Sequence, residues 1–420
     1  MSEELNFRSK EYWNHLVWGV LLGLLSAIGA FIFIYLMDLG QRIFLPNLTN
    51  WTLFSGPWWL VVLMTVAGFF VGVIHRLYSP KQIDVFGAVK NGDMDPKPVP
   101  SSLFVSLISL ITGFSIGPEV PTGMLAGGLS SWISKHRKMD SEKTKINVIS
   151  GISGAYAGLF SSPVVVLLML LESYHKQSNS YYGILLIGGL AATIGFALFY
   201  ALNGMSLSPL LGLLSPPAYH LRIWDLGVGI LLGILAVPVA LFFIILTKTF
   251  SRIVAPLNAI PIVRGTIGGL LLGLLAVIFP VIIGLGTTQM PIVTQQAAEI
   301  GVVLLIVFAL AKMVALSGAL NFGFIGGPIF PLLFIGTTIG SAVHLIFPQI
   351  PIGLALGCMI VAVPAAIVPI PIAMAAIGVV IIGVPFIDAL PVFLAALVSF
   401  AITHGLGLGV KKENKPVKEV

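Results

Sequence analysis

The sequence predicts an all-α polytopic membrane protein, built as two inverted-topology halves of short, tilted and broken helices. Three observations predict it. The 420-residue chain is 57% hydrophobic, with a mean hydropathy of +1.04. Only 9% of its residues are charged, against about 25% in soluble domains. Its 46 glycines and 27 prolines cut the apolar runs into pieces, as in transporters with discontinuous helices. The single cysteine, Cys358, excludes an internal disulfide and a multi-thiolate metal site. No basic stripe is interleaved with aromatics, so nucleic acid is not an expected partner.

Taken in order, residues 1–13 are polar and read as a cytoplasmic surface helix, with Leu5 and Phe7 among charged residues. They do not form a signal peptide. Residues 16–36 exceed the ~20 apolar residues that span a bilayer. Asp38, Arg42 and a loop over residues 46–50 close that span. A second span covers residues 58–74, with Trp51, Trp58 and Trp59 at its interfacial edge. The polar stretch 78–100 has two readings: an aqueous loop, or a lead through residues 80–84 into a pore-facing turn. Residues 103–115 are apolar but short.

Next comes the stretch around which the chain is organised, residues 116–128, reading IGPEVPTGMLAGG. Pro118 and Pro121 lack N–H groups and restrict the residues before them. The chain therefore breaks at Glu119, and a helix starts near residues 120–121. A helix that starts inside a membrane presents unpaired N–H groups and a positive dipole end, which is an anion site. Glu119 and a dissolved anion would compete for it.

The helix after the break runs to about Ser134. Lys135, His136, Arg137, Lys138, Lys143 and Lys145 follow as a basic loop on the cytoplasmic side. Residues 149–160 carry Gly151, Gly154 and Gly158, which permit close helix packing. Pro163 then divides two half-length segments that form an in-and-out pair. Glu172 ends the second, just before Tyr174, His175 and Lys176. It reads as a helix-end surface charge, or as a residue of a subunit contact or inner vestibule. Residues 184–201, 225–247 and 266–285 span, with a loop over 203–220. In the last of these spans, Gly268 and Gly269 predict one tightly packed turn followed by an ordinary span. Residues 299–317 are apolar except for Lys312, which either packs against backbone carbonyls or supplies positive potential to an anion path.

Residues 317–336, SGALNFGFIGGPIFPLLFIG, interrupt and restart an apolar run as the first break does. The layout is that of transporter halves whose broken helices meet at the midplane. Residues 351–364 and 367–385 form further short segments. Asp388 precedes a final helix over 391–403, and residues 406–420 form a short polar cytoplasmic tail. The expected division is residues 14–210 and 211–405 for the two membrane halves.

With these features assembled, the chain resembles the CLC family of chloride channels and proton-coupled chloride exchangers, as a divergent prokaryotic-type member without C-terminal regulatory domains. The family's gating motif G-[KR]-E-G-P looks like Gly117–Pro118–Glu119–Val120–Pro121. Its G-x-F-x-P segment looks like Gly327–Pro328–Ile329–Phe330–Pro331, and its FNAPLAGILFIIEE segment matches residues 160–173. The resemblance implies that Glu119 is the gate and that Gly117, Pro118, Val120, Pro121, Gly327, Pro328, Ile329 and Phe330 surround the anion. Glu172 and Lys312 are candidate accessory residues. Three positions depart from the pattern. The family's G-S-G-I-P falls on residues 80–84, where only Ile83 agrees. Its second glutamate falls on Ser173, and its ion-coordinating tyrosine has no counterpart in residues 391–400.

These readings give a voltage-gated chloride channel type of protein in the cell membrane, multi-pass, with both termini cytoplasmic. It would pass inorganic anions, with bound halide and no metal or other cofactor, as a homodimer in lipid. Chloride/proton antiport, which adds protons as partners, fluoride-selective transport, and secondary transport of another solute are the alternatives. A membrane enzyme would need clustered nucleophilic or acid–base groups, and the seven histidines are scattered.

Overall fold

The computed structural model describes residues 9–45, 51–173, 180–211, 213–217 and 219–407. The first half forms α1 (Lys10–Phe44), α2 (Trp59–Tyr78), α3 (Val85–Asn91), α4 (Val99–Ile111), α5 (Glu119–His136), α6 (Ser141–Leu159), α7 (Pro163–Ser173) and α8 (Ser180–Leu202). The second forms α9 (Ile223–Val254), α10 (Pro261–Ile278), α11 (Met290–Gln295), α12 (Ala297–Phe322), α13 (Ile329–Ile346), α14 (Ile352–Ala365), α15 (Pro371–Ile382) and α16 (Leu390–Gly405). Among the described residues, seven helices are long and apolar enough to cross a membrane: α1, α2, α8, α9, α10, α12 and α13.

The second set repeats the first. The long α1 matches α9, and the short α3 matches α11. The packing partners repeat as well: α1 with α6 and α8 becomes α9 with α14 and α16, and α5 with α6 becomes α13 with α14. Local chemistry sets many of the boundaries. Ser9 caps α1, its hydroxyl accepting the Tyr12 N–H at 3.1 Å. Asp84 caps α3 through the Gly87 N–H at 3.0 Å, and Asp140 caps α6 through the Lys143 N–H at 2.8 Å. Pro163 opens α7 after Ser161, whose φ is +51°.

The two halves are joined along α2 and α10, where glycines bring the backbones into contact. A Cβ on Gly68 would overlap the Gly265 carbonyl, and one on Gly269 would overlap the Met64 carbonyl. Without a hydrophobic drive between helices in lipid, such close van der Waals packing is the main source of association. The outer faces stay apolar: Val17, Leu21, Leu25, Ile28 and Ile32 form an exposed stripe along α1.

Several expectations shift. Residues 1–8 of the expected surface helix lie outside the described residues, while Lys10–Tyr12 open α1 instead of a separate element. The loop over 46–50, Tyr174–Lys176 and residues 408–420 of the tail also lie outside them. The polar stretch 78–100 contains α3. Lys135 and His136 finish α5, and Lys143 and Lys145 begin α6, so the basic loop is confined to the few residues between them. The span expected over 266–285 starts at Pro261, which supplies a preset φ, and stops at Ile278, ahead of a 3-10 turn at Pro280–Ile282. Gly273 also packs closely, a Cβ there meeting the Val61 Cα at 2.8 Å, so close contact extends beyond the turn at Gly268 and Gly269.

Gly265→Ala is expected to destabilise the protein by about 1–3 kcal/mol through overpacking. Gly227→Ala, where a Cβ meets nothing within 4 Å, is expected to be neutral or slightly stabilising. Equilibrium unfolding of the two variants in detergent checks the contrast.

Candidate functional site

The site is built from two chain crossings with one design. α4 ends at Ile111, Gly113 with a φ of +88° turns the chain, and α5 restarts at Glu119. α12 ends at Gly323, with φ +102°, and α13 restarts at Ile329. Only glycine takes such angles freely. The intervening sequences are themselves a repeat: Gly113-Phe114, Gly117-Pro118 and Pro121 recur as Gly323-Phe324, Gly327-Pro328 and Pro331. Every equivalent pair is 210 residues apart, the separation of Glu119 from Ile329.

The two crossings pair with each other. The Gly117 N–H donates to the Gly327 carbonyl at 2.7 Å, and the Gly327 N–H donates to the Gly117 carbonyl at 2.8 Å. This reciprocal antiparallel bridge is what a local twofold axis generates. It satisfies backbone groups that the helix breaks would otherwise leave bare in the membrane. The Phe114 and Phe324 rings stack behind it, with centroids 3.7 Å apart.

Glu119 lies at this bridge and is 2% exposed. Its Oε1 accepts the Ile329 N–H at 2.6 Å, so the carboxylate sits on the first turn of α13. It rests between the two bridging glycines, and a Cβ on either Gly117 or Gly327 would overlap it. Prolines sharpen the site. Pro328 and Pro331 have no N–H, which leaves Ile329 and Phe330 as the donors at this end of α13. The second oxygen, Oε2, is buried without a hydrogen-bond partner among the described residues. Such an oxygen lacks the usual compensation for burial, and protonation would turn it into a donor.

A cavity of about 300 Å3 opens beside the carboxylate. Glu119, Val120, Pro328 and Ile329 line it, together with residues 82–86, Tyr156 and residues 367–369. Residues 82–84 of the polar stretch therefore line the cavity beside Glu119. A neighbouring cavity of about 340 Å3 shares Gln82, Ile83 and Asp84, and carries the polar residues of the rest of that loop.

The other expected residues fall as follows. Gly117 and Gly327 hold the bridge. Pro118 and Pro121 shape the start of α5, which begins at Glu119, a residue or two earlier than expected. Phe330 is fully buried and stacks on Phe160 at 6.2 Å. Glu172 is not a surface charge: its two oxygens accept the Ile372 and Ala373 N–H groups at 2.7 and 2.8 Å, capping α15. Lys312 donates to the Ile282 and Gly284 carbonyls at 2.8 and 2.6 Å, so the packing reading describes it. Asp388 accepts the Leu221 N–H at 2.9 Å, and its carbonyl accepts the Tyr219 hydroxyl. Among the described residues no group of three or more His, Cys, Asp or Glu could hold a metal ion.

Two contributors escaped the sequence reading. The buried Tyr156 hydroxyl donates to the Glu119 carbonyl at 2.7 Å. Gln82 grips Gly326, its Nε2 donating to the Gly326 carbonyl at 2.7 Å and its Oε1 accepting the Gly326 N–H at 3.3 Å. A tyrosine within a glycine-rich apolar segment was the available signal for the first, because a buried hydroxyl needs a partner. Gln82 had none, since its partner is a backbone group 244 residues away.

The sequence profile of the family described as Voltage gated chloride channel matches residues 67–404. The chain belongs to that family. Among its relatives, a protein of Escherichia coli O7:K1 named "Putative ion-transport protein YfeO" is 25% identical over 322 residues, covering 74% of this chain and 73% of the relative. The protein of that name in Salmonella newport is 25% identical over 315 residues, covering 73% and 74%. Among solved structures, a slow cyanobacterial Cl-/H+ antiporter superposes with a TM-score of 0.78 at 18% identity, covering 94% of this chain and 95% of that one. A CLC-type fluoride/proton antiporter gives 0.72 at 21% identity, covering 93% and 94%. A eukaryotic CLC transporter gives 0.69 at 15%, covering 94% and 73%. The fold is thus the CLC fold, and it is held over nearly the whole chain.

Tyr156→Phe removes the hydroxyl that holds the Glu119 carbonyl. The expected cost is about 1 kcal/mol, read from equilibrium unfolding in detergent.

Proposed function

We propose that the protein moves halide across the cell membrane in exchange for protons, with Glu119 as gate and proton carrier. The observation that carries this reading is the Glu119 carboxylate seated on the Ile329 N–H, where a dissolved anion would be received. A carboxylate oxygen and a halide ask the same thing of this site: N–H donors and the positive end of a helix. Ionised Glu119 fills the place. Protonation removes the charge that holds it there, and the freed side chain admits the anion.

The two halves act as inverted repeats around one such pathway, and the protein works as a homodimer with one pathway in each subunit. Exchange rather than passive conduction is supported by two of the related structures, which are described as proton-coupled antiporters for chloride and fluoride. Passive conduction is the second reading. It is favoured by Ser173, which occupies the position of the family's inner glutamate and does not titrate, while the adjacent Glu172 is committed to capping α15.

Reconstitution into liposomes, with halide efflux and proton movement recorded together, tests the proposal. Halide flux is expected to rise as pH falls from about 7 to about 4, across the carboxylate range. A halide gradient is expected to drive protons uphill. Glu119→Gln should abolish both the pH dependence and the proton movement while still passing halide. Halide flux without proton movement in the unmutated protein would favour the channel. PH dependence that survives in Glu119→Gln would reject the gate.

Gly327→Ala gives an independent check, because its Cβ overlaps the seat of the carboxylate. Flux at neutral pH is expected to rise and its pH dependence to flatten in the same assay.

A further inference from the structure

We infer that a cavity at the start of α1 binds the phosphate of an anionic glycerophospholipid, held by Arg137 and Lys138 with His15 at its floor. The cavity, of about 270 Å3, lies between the first turns of α1 and the turn that joins α5 to α6. No residue lining it lines the cavity beside Glu119, so the inference stands apart from the transport reading. Three cations line it, Arg137, Lys138 and Lys143, against one carboxylate, Asp140. Lys143 and Asp140 pair with each other at 2.9 Å, and Glu11 adds a second carboxylate 3.6 Å from the lysine. Arg137 and Lys138 form no ion pair among the described residues. His15 is 7% exposed and faces the cavity, with no hydrogen bond to any described residue. A buried polar ring in that state lacks the usual compensation, and a phosphate oxygen would supply it.

The surroundings favour a lipid over a soluble phosphate. α1 presents Asn14, Val17, Trp18 and Leu21 along one face, at the i, i+3, i+4 and i+7 spacing of a helix. Asn14 and Trp18 line the cavity, while Val17 and Leu21 begin the exposed apolar stripe. A molecule with its phosphate in the cavity therefore lays its acyl chains along that stripe. A soluble phosphate would use the cations and leave the stripe bare. The Arg137 guanidinium lies over the Trp18 ring, 5.7 Å from its centroid. That contact holds the cation at the cavity and leaves its N–H fork to take a phosphate in two places. The turn itself is braced from inside, with Asn147 Nδ2 donating to Ser134 Oγ at 2.9 Å and to Met139 Sδ at 3.2 Å. Basic pockets between membrane helices suit lipid head groups for the same electrostatic reason.

Native mass spectrometry of the protein in detergent tests the site, with phosphatidylglycerol and phosphatidylcholine of the same chains titrated separately. One phosphatidylglycerol per chain is expected to bind about tenfold more tightly than phosphatidylcholine, whose own cation meets the surplus positive charge. Arg137→Gln and Lys138→Gln should each weaken phosphatidylglycerol about fivefold, and His15→Leu should weaken it by about the same factor. Lys135→Gln removes a nearby charge that pairs with Asp93 and does not line the cavity. It should change the affinity by less than about twofold. An affinity unchanged in any of the first three variants overturns the site. Equal weakening by Lys135→Gln also overturns it, since the lipid would then answer to diffuse surface charge. Inorganic phosphate that displaced the lipid would make the cavity a soluble-anion site and overturn the lipid assignment.

Discussion

The structure depends on one reciprocal pair of backbone hydrogen bonds, Gly117 to Gly327 and back. Two helices are broken inside the membrane, and each break leaves polar backbone where lipid offers nothing to bond. The breaks meet and satisfy each other. Only glycine at both positions lets the strands approach and still leaves room for a carboxylate between them. The same constraint explains the prolines. They end each crossing and remove N–H groups, so the donors that remain are few and close to Glu119.

The crossings are pinned from behind at their turning points. The Gly323 carbonyl accepts a bond from His75 Nε2 at 2.8 Å, with the Arg264 guanidinium beside the other ring nitrogen. The Gly113 carbonyl accepts the Gly284 N–H at 2.8 Å, and Lys312 holds the Gly284 carbonyl in turn. The buried lysine is thereby tied, through Gly284, to the turn at Gly113. Its Nζ donates to carbonyl oxygens and lies 5.2 Å from the Phe334 ring centroid.

Much of this was legible in the sequence. Apolar runs, and the glycines and prolines that cut them, disclose broken membrane helices. Glu119 stood out because a carboxylate flanked by prolines inside an apolar run is more often functional than a plain helix cap. What stayed hidden was pairing across the chain. Glu172 looks like a charge at the end of a helix, yet its partners are N–H groups some 200 residues on. Residues 80–84 left two readings open because Gln82 finds its partner only once α12 and α13 have folded. The repeat of Gly-Phe-x-x-Gly-Pro-x-x-Pro was open to view, but the layout alone drew notice. Its fixed offset of 210 residues would have pointed to the Glu119–Ile329 contact directly. Helix ends were the other weak point. The polar stretch 78–100 hid α3, whose cap is a single aspartate.

The central claim is that Glu119 and a dissolved halide take turns on the Ile329 N–H. Bromide is a heavy-atom stand-in for halide, so anomalous diffraction from crystals of the Glu119→Gln variant grown in bromide addresses the claim most directly. The account predicts a bromide peak within hydrogen-bonding distance of the Ile329 nitrogen, with the residue 119 side chain displaced from between Gly117 and Gly327. A side chain still seated there, with no bromide near the start of α13, would contradict it.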